Sequence, residues 1–144
     1  MSDIADGLQE LHNSGYLHCD LKTNNLLVKR LYHNGRLTSC IEGKIIDLGI
    51  AQKLSAPSNI PRKFTSEAYK ENRVRHPHIA PEILKGLSGH TVASDIYALG
   101  YFIWLTGEMY KMSGLRDIGL KCINKRVEKR PSLAEVIEGI ADLH

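Results

Sequence analysis

The stretch SDIYALGYFIWL, from Ser94 to Leu105, constrains the fold more than any other part of the chain. Ile96, Tyr97, Leu99, Phe102, Ile103 and Trp104 are spread around every side of a helix, leaving no face for water. A helix apolar nearly all round has to be buried, with other elements packed about it. Its longest nearly apolar run, Ile96 to Leu105, is too short to span a bilayer. Ser94 and Asp95 stand where this helix opens, and locally Asp95 reads as an N-cap.

Other elements can supply the surrounding shell. Ile4, Leu8 and Leu11 recur at helical spacing after Ser2 and Asp3, which can cap and complement a helix start, and Gly15 offers a stop. Ile118, Cys122 and Ile123 suggest another helix. A last one follows Arg130-Pro131, with proline at its start and Leu133, Val136, Ile137 and Ile140 on one face. Leu26 to Tyr32 reads as a strand, Asn34-Gly35 as a type I′ turn, and Arg36 to Ile46 as the returning strand, with Gly43 a candidate bulge. An antiparallel hairpin brings its two far ends together, so Asn25 and Asp47 are expected side by side. Gln52 to His78, with Ser55, Pro57, Ser58, Pro61, Thr65, Ser66 and Tyr69, lacks a period and reads as a loop.

Composition limits the classes of function. A chain of 144 residues with 19 Lys plus Arg against 16 Asp plus Glu is one domain's length and only mildly basic, so neither a nucleic-acid nor a membrane partner is expected. The basic positions from Lys121 to Arg130 read as a solvated face. Cys19, Cys40 and Cys122 show no C-x-x-C spacing and no signal peptide opens the chain, which points to a reducing, cytoplasmic setting. His76-Pro77-His78 fits no closed zinc ligand set.

The chemistry is concentrated in His18-Cys19-Asp20-Leu21-Lys22-Thr23-Asn24-Asn25, directly before the strand Leu26-Leu27-Val28. Asp20 can accept a proton, Lys22 can neutralise an anion, and Asn25 can offer a carbonyl oxygen to a hard cation such as Mg²⁺. That set suits phosphate chemistry. The stretch resembles the catalytic loop of the eukaryotic protein kinases, H-R-D-L-x-x-x-N, departing from it at Cys19 where the family has Arg. The helix before it ends L-H-x-x-G-x-x-H, as in the family. Further on, Asp47-Leu48-Gly49 resembles D-F-G with Leu for Phe, Ala80-Pro81-Glu82 matches A-P-E, and Ser94 to Gly100 matches S-D-I-Y-x-L-G.

The resemblance implies an α+β fold: a kinase-like large lobe, mainly helical, with a small antiparallel catalytic hairpin. Residues 1–144 would form a partial kinase domain, with 47–82 as its activation segment. It implies transfer of the γ-phosphoryl group of Mg-ATP to a protein substrate, with Ser or Thr favoured over Tyr because Lys22 lies two residues after the base. Asp20 would orient and deprotonate the acceptor hydroxyl, and Lys22 would stabilise the transferred group. Asn25 and Asp47 would hold Mg²⁺. Gly49 would let the backbone turn. Leu27 would lie beneath the adenine ring, although as a bare strand residue it reads simply as core. His18, Asp95, Glu82 and Arg130 would be structural supports, Asp95 bonding back to the loop and Arg130 pairing with Glu82.

The departures carry expectations of their own. Neutral Cys19 cannot pair with a phosphate on the activation segment, so phosphorylation of Thr65, Ser66 or Tyr69 is not expected to act through it. A reactive-thiol role for Cys19 stays open. Between Gly107 and Lys121 one surface helix of the family is expected to be lost or reduced. No G-x-G-x-x-G loop, V-A-I-K-like lysine or partner Glu occurs, so the N-terminal β lobe that covers ATP is expected to be absent. Two readings follow: the catalytic half of a true kinase on a longer parent chain, or a free-standing, pseudokinase-like binding module. Retention of Asp20, Lys22, Asn25 and Asp47 favours the first.

Overall fold

The computed structural model describes residues 1–56 and 64–143, with residues 28–33 and 37–41 described by their backbone alone. Pro57, Ser58 and Pro61 of the polar stretch therefore lie outside the described residues, as does the side chain of Cys40.

The described chain is mostly helical, with two small antiparallel sheets. Helix α1, Ser2–Asn13, buries Ile4, Ala5, Leu8 and His12, the stripe that its four-residue spacing dictates. Neither Ser2 nor Asp3 caps it. Asp3 instead lies in the first turn and accepts a hydrogen bond from the Gly43 N–H at 3.1 Å. Strand β1, Tyr16–Leu17, pairs antiparallel with β4, Gln52–Lys53. Strands β2, Leu26–His33, and β3, Arg36–Ile45, form the expected hairpin. Asn34 and Gly35 turn it with positive φ of 51° and 74°, as a type I′ turn requires. Gly43 is no bulge: it pairs in register with Val28, and the irregularity falls between Arg30 and Tyr32. Its use is close approach, since a Cβ there would stand 2.6 Å from Ile4 Cγ1 of α1.

The segment read as a loop contains a helix, α2, Ser66–Arg75. Thr65 Oγ1 caps it by accepting from the Ala68 N–H at 3.2 Å, but no residue of α2 is buried, so there was no apolar stripe to detect. Helix α3, Pro81–Leu84, starts from Ala80.

The central apolar helix is α4, Val92–Met109, which begins earlier and ends later than its apolar run. Thr91 caps it: its hydroxyl accepts from the Ser94 N–H at 3.1 Å, while Ser94 Oγ accepts from the Thr91 N–H at 2.8 Å. Asp95 is thus not the cap. Ile96, Leu99 and Ile103 of α4 share one core with Ile4 and Leu8 of α1. Helix α5, Ser113–Cys122, adds Leu115 and Cys122, and α6, Leu133–Ala141, adds Leu133, Val136 and Ile140. The cap of α6 is Ser132, which accepts from the Glu135 N–H, so Pro131 precedes the helix rather than opening it. Helices α4 and α5 pack so closely that a Cβ on Gly100 or Gly119 would collide with Cys122 or with the Trp104 backbone. Among the described residues no helix is long and apolar enough to cross a membrane.

Candidate active site

Two loops face each other because two short ladders tie them at both ends. The β1–β4 pair brings residues 16–17 to 52–53, and the β2–β3 pair brings Leu26 opposite Ile45. Residues 18–25 and 46–51 are what remains between. The Ile46 N–H donates to the Asn25 carbonyl at 2.9 Å, so Asn25 and Asp47 lie next to one another across the end of the hairpin.

The floor of the site is Asp95. One buried carboxylate oxygen accepts from the His18 N–H at 2.8 Å and from His12 Nε2 at 2.9 Å, and the other accepts from the Cys19 N–H at 3.0 Å. Such a buried acid is tolerable because both of its oxygens accept hydrogen bonds. Cys19 has φ of 69°, a left-handed backbone that a non-glycine residue holds only when its surroundings enforce it. Asp95 supplies that enforcement one residue before Asp20. Fully buried His18 joins the two loops: Nε2 donates to the Ile46 carbonyl at 3.1 Å, and Nδ1 accepts from the Asp20 N–H at 3.3 Å.

Three polar side chains converge above this floor. Lys22 Nζ lies 3.0 Å from Asp20 Oδ2, and Asn25 Nδ2 donates to the same oxygen at 3.2 Å and to the Asp20 carbonyl at 2.7 Å. The Asn25 amide nitrogen is thereby taken up by Asp20, so what it has to offer a cation is its oxygen. Asp47 is exposed, with φ of 63°, and its Oδ1 accepts from the Gly49 N–H at 3.1 Å. The left-handed residue of this turn is therefore Asp47, not Gly49, and a Cβ on Gly49 would stand 3.0 Å from Asp47 Oδ1, close enough to push that carboxylate aside. A carboxylate and an amide oxygen are hard donors that fit Mg²⁺. Leu27 is not core. It is 53% exposed beside the site, as are Leu48 and Ile50 on the facing loop.

Beside the loop lies a niche with room for about one water molecule, lined by Cys19, His78, His90, Ser94 and Asp95 among others. Burial, then the Asp95 carboxylate, pushes the Cys19 thiol up to about 11. That opposes the thiolate a reactive-thiol role would need. Burial also holds His78 and His90 below the usual histidine value, against the opposing pull of Asp20 on both and of Asp95 on His90.

On the far side Arg130 holds Glu82 with a two-bonded fork, Nη1 to Oε1 at 2.7 Å and Nη2 to Oε2 at 2.8 Å. Nη1 also donates to the Ala93 carbonyl at 3.0 Å and Nε to the Asn124 carbonyl at 2.9 Å. The sequence reading gave no role to His12, although it falls four residues after Leu8 on the apolar stripe of α1. A polar residue at such a position signals a buried partner.

Comparison with known proteins gives a consistent result. The family model for the protein kinase domain matches residues 1–112. The proto-oncogene serine/threonine-protein kinase mos of Sus scrofa is 31% identical over 94% of this chain and 34% of its own length. Cyclin-dependent kinase F-3 of Oryza sativa subsp. japonica is 32% identical over 80% of the chain and 22% of its own length. A probable LIM domain-containing serine/threonine-protein kinase of Dictyostelium discoideum is 28% identical over 72% of the chain and 9% of its own length. The chain thus spans about a tenth to a third of the length of these relatives.

Proposed function

This chain belongs to the protein kinase family, and from that premise we propose that it carries the catalytic half of a kinase domain on a longer parent chain. The reaction is transfer of the γ-phosphoryl group of Mg-ATP to a protein substrate, at serine or threonine in preference to tyrosine. The observation that carries this reading is the meeting of Asp20, Lys22 and Asn25 at the end of the hairpin where Asp47 arrives.

Asp20 orients the acceptor hydroxyl and takes its proton, and Lys22, already turned to the same place, stabilises negative charge on the group in transit. Asn25 and Asp47 would hold Mg²⁺, which when bound neutralises charge on the phosphates. Exposed Leu27 offers an apolar face to the adenine ring. His18 and Asp95 keep the loop in its left-handed turn, and the Glu82–Arg130 pair anchors the end of the activation segment, residues 47–82. A reducing, cytoplasmic setting suits the cysteine usage.

A thermal-shift titration with Mg-ATP tests the site. At ATP near 100 times its Kd the linkage is worth about 2.7 kcal/mol, enough to raise Tm by several degrees. The parent protein should show this shift and Asp47→Asn should lose it. A shift that survives in Asp47→Asn would overturn the metal assignment. The titration is made on the longer chain, and no shift there would overturn the catalytic reading in favour of a pseudokinase-like binding module.

A further inference from the structure

Helix α2 has no fully buried residue, only half-buried ones such as Ala68 and Tyr69, so apolar packing does little to set its place. Its cap, the Asn72–Ala68 bond and the Arg75–Glu71 pair all stay within the helix and its cap. Lys85 lies over the Tyr69 ring at 5.7 Å, a loose contact with the chain just after α3. Among the described residues, one side chain of α2 hydrogen-bonds beyond it, and that is Arg73. Its Nη1 donates to the Ile79 carbonyl at 3.3 Å and to the Tyr97 hydroxyl at 3.0 Å.

Both acceptors are informative. Tyr97 is buried on α4, and the face of its ring carries the Arg130 guanidinium at 4.8 Å, the same group that forks onto Glu82. One tyrosine therefore takes Arg73 on its hydroxyl and Arg130 on its face. Ile79 belongs to the segment His76 to Ala80, in which His78 is close enough to feel the charges of Asp20 and Lys22 and lines the niche beside Cys19. A bond at Ile79 fixes that wall.

We propose that Arg73 is a positioning residue: through Tyr97 and the Ile79 carbonyl it clamps α2 and residues 76–80 against α4, setting the wall on which a protein acceptor meets Asp20. The catalytic part of this inference rests on the function proposed above, and the clamp itself does not. Because both bonds leave from one nitrogen, a lysine ammonium can replace much of the contact, whereas alanine cannot.

Hydrogen exchange on the parent and on Arg73→Ala, Arg73→Lys and Tyr97→Phe tests the clamp. Arg73→Ala should speed exchange several-fold across residues 66–80 and leave α1 and the loop at 18–25 protected. Tyr97→Phe, which keeps the ring under Arg130, should reproduce the effect, and Arg73→Lys should restore protection in part. Unchanged exchange in Arg73→Ala would overturn the clamp, and unchanged exchange in Tyr97→Phe would overturn its route through α4. In turnover with Mg-ATP, Arg73→Ala should raise the acceptor KM several-fold with kcat nearly constant. A fall in kcat at constant KM would overturn the positioning role. Turnover is measured in the longer chain that carries the whole domain; no turnover there without any substitution would overturn the proposed function, and exchange would then decide the clamp alone.

Discussion

Arg130 shows how much one side chain can hold. Its guanidinium is buried and bonded to Glu82, Ala93 and Asn124, with Tyr97 stacked against it, so α3, the start of α4 and the connection between α5 and α6 all meet at one group. A buried pair of this kind is costly to break because the survivor keeps its charge without compensation. Glu82→Ala should therefore lower unfolding free energy by about 3 to 5 kcal/mol in urea titration. Equal stability of variant and parent would show that water replaces the carboxylate. At the same scale, the motif residues Asp20, Lys22, Asn25 and Asp47 were legible because their chemistry lies in the side chain itself. His12, Arg73 and Tyr97 were not, since their meaning comes from partners distant in sequence.

Elements were legible in proportion to what they bury. Helices α1, α4 and α6 announce themselves through apolar spacing, and the hairpin through Asn34-Gly35. Helix α2 has no stripe and is held by a cap and one arginine, and the two-residue strands β1 and β4 are too short for any period. The start of α4 was misplaced because Ser94 completes a box with Thr91, while Asp95 looks like a cap and serves the loop instead. The α4–α5 contact makes a prediction that helix propensity alone would get backwards. Alanine normally improves a helix interior by up to about 1 kcal/mol over glycine. Gly119→Ala would drive a methyl into the Trp104 backbone, which cannot step aside like a rotamer, so it should destabilise by about 1 to 3 kcal/mol. Gly139→Ala in α6 meets only the Ile118 side chain, at 3.4 Å, and should stabilise by roughly 0.4 to 1 kcal/mol. Paired denaturation curves that failed to differ in sign would contradict this packing.

For the whole molecule, the two histidines beside the loop at 18–25 tie stability to pH. The fold keeps His78 and His90 below their unfolded value of 6.5, so in the window beneath 6.5 the unfolded chain binds protons that the folded one does not. Their contribution is fully present above pH 6.5 and is lost as pH falls through the folded values. Tm should drop as the buffer goes from neutral to mildly acidic, and the double variant His78→Gln, His90→Gln should flatten that slope; equal slopes would remove these residues from the account. The contact between Asp3 and Gly43 bears on how the molecule behaves among its own copies. A hairpin paired with itself leaves outward N–H and C=O groups that invite another extended chain. Where α1 crosses β3, Asp3 occupies the Gly43 N–H and Ile4 fills the space beside it, so that invitation is withdrawn at this point of the edge. Asp3→Ala should then scatter more light as the solution is concentrated, and a carboxylate that looks like mere decoration on the first turn of a helix becomes a guard against aggregation.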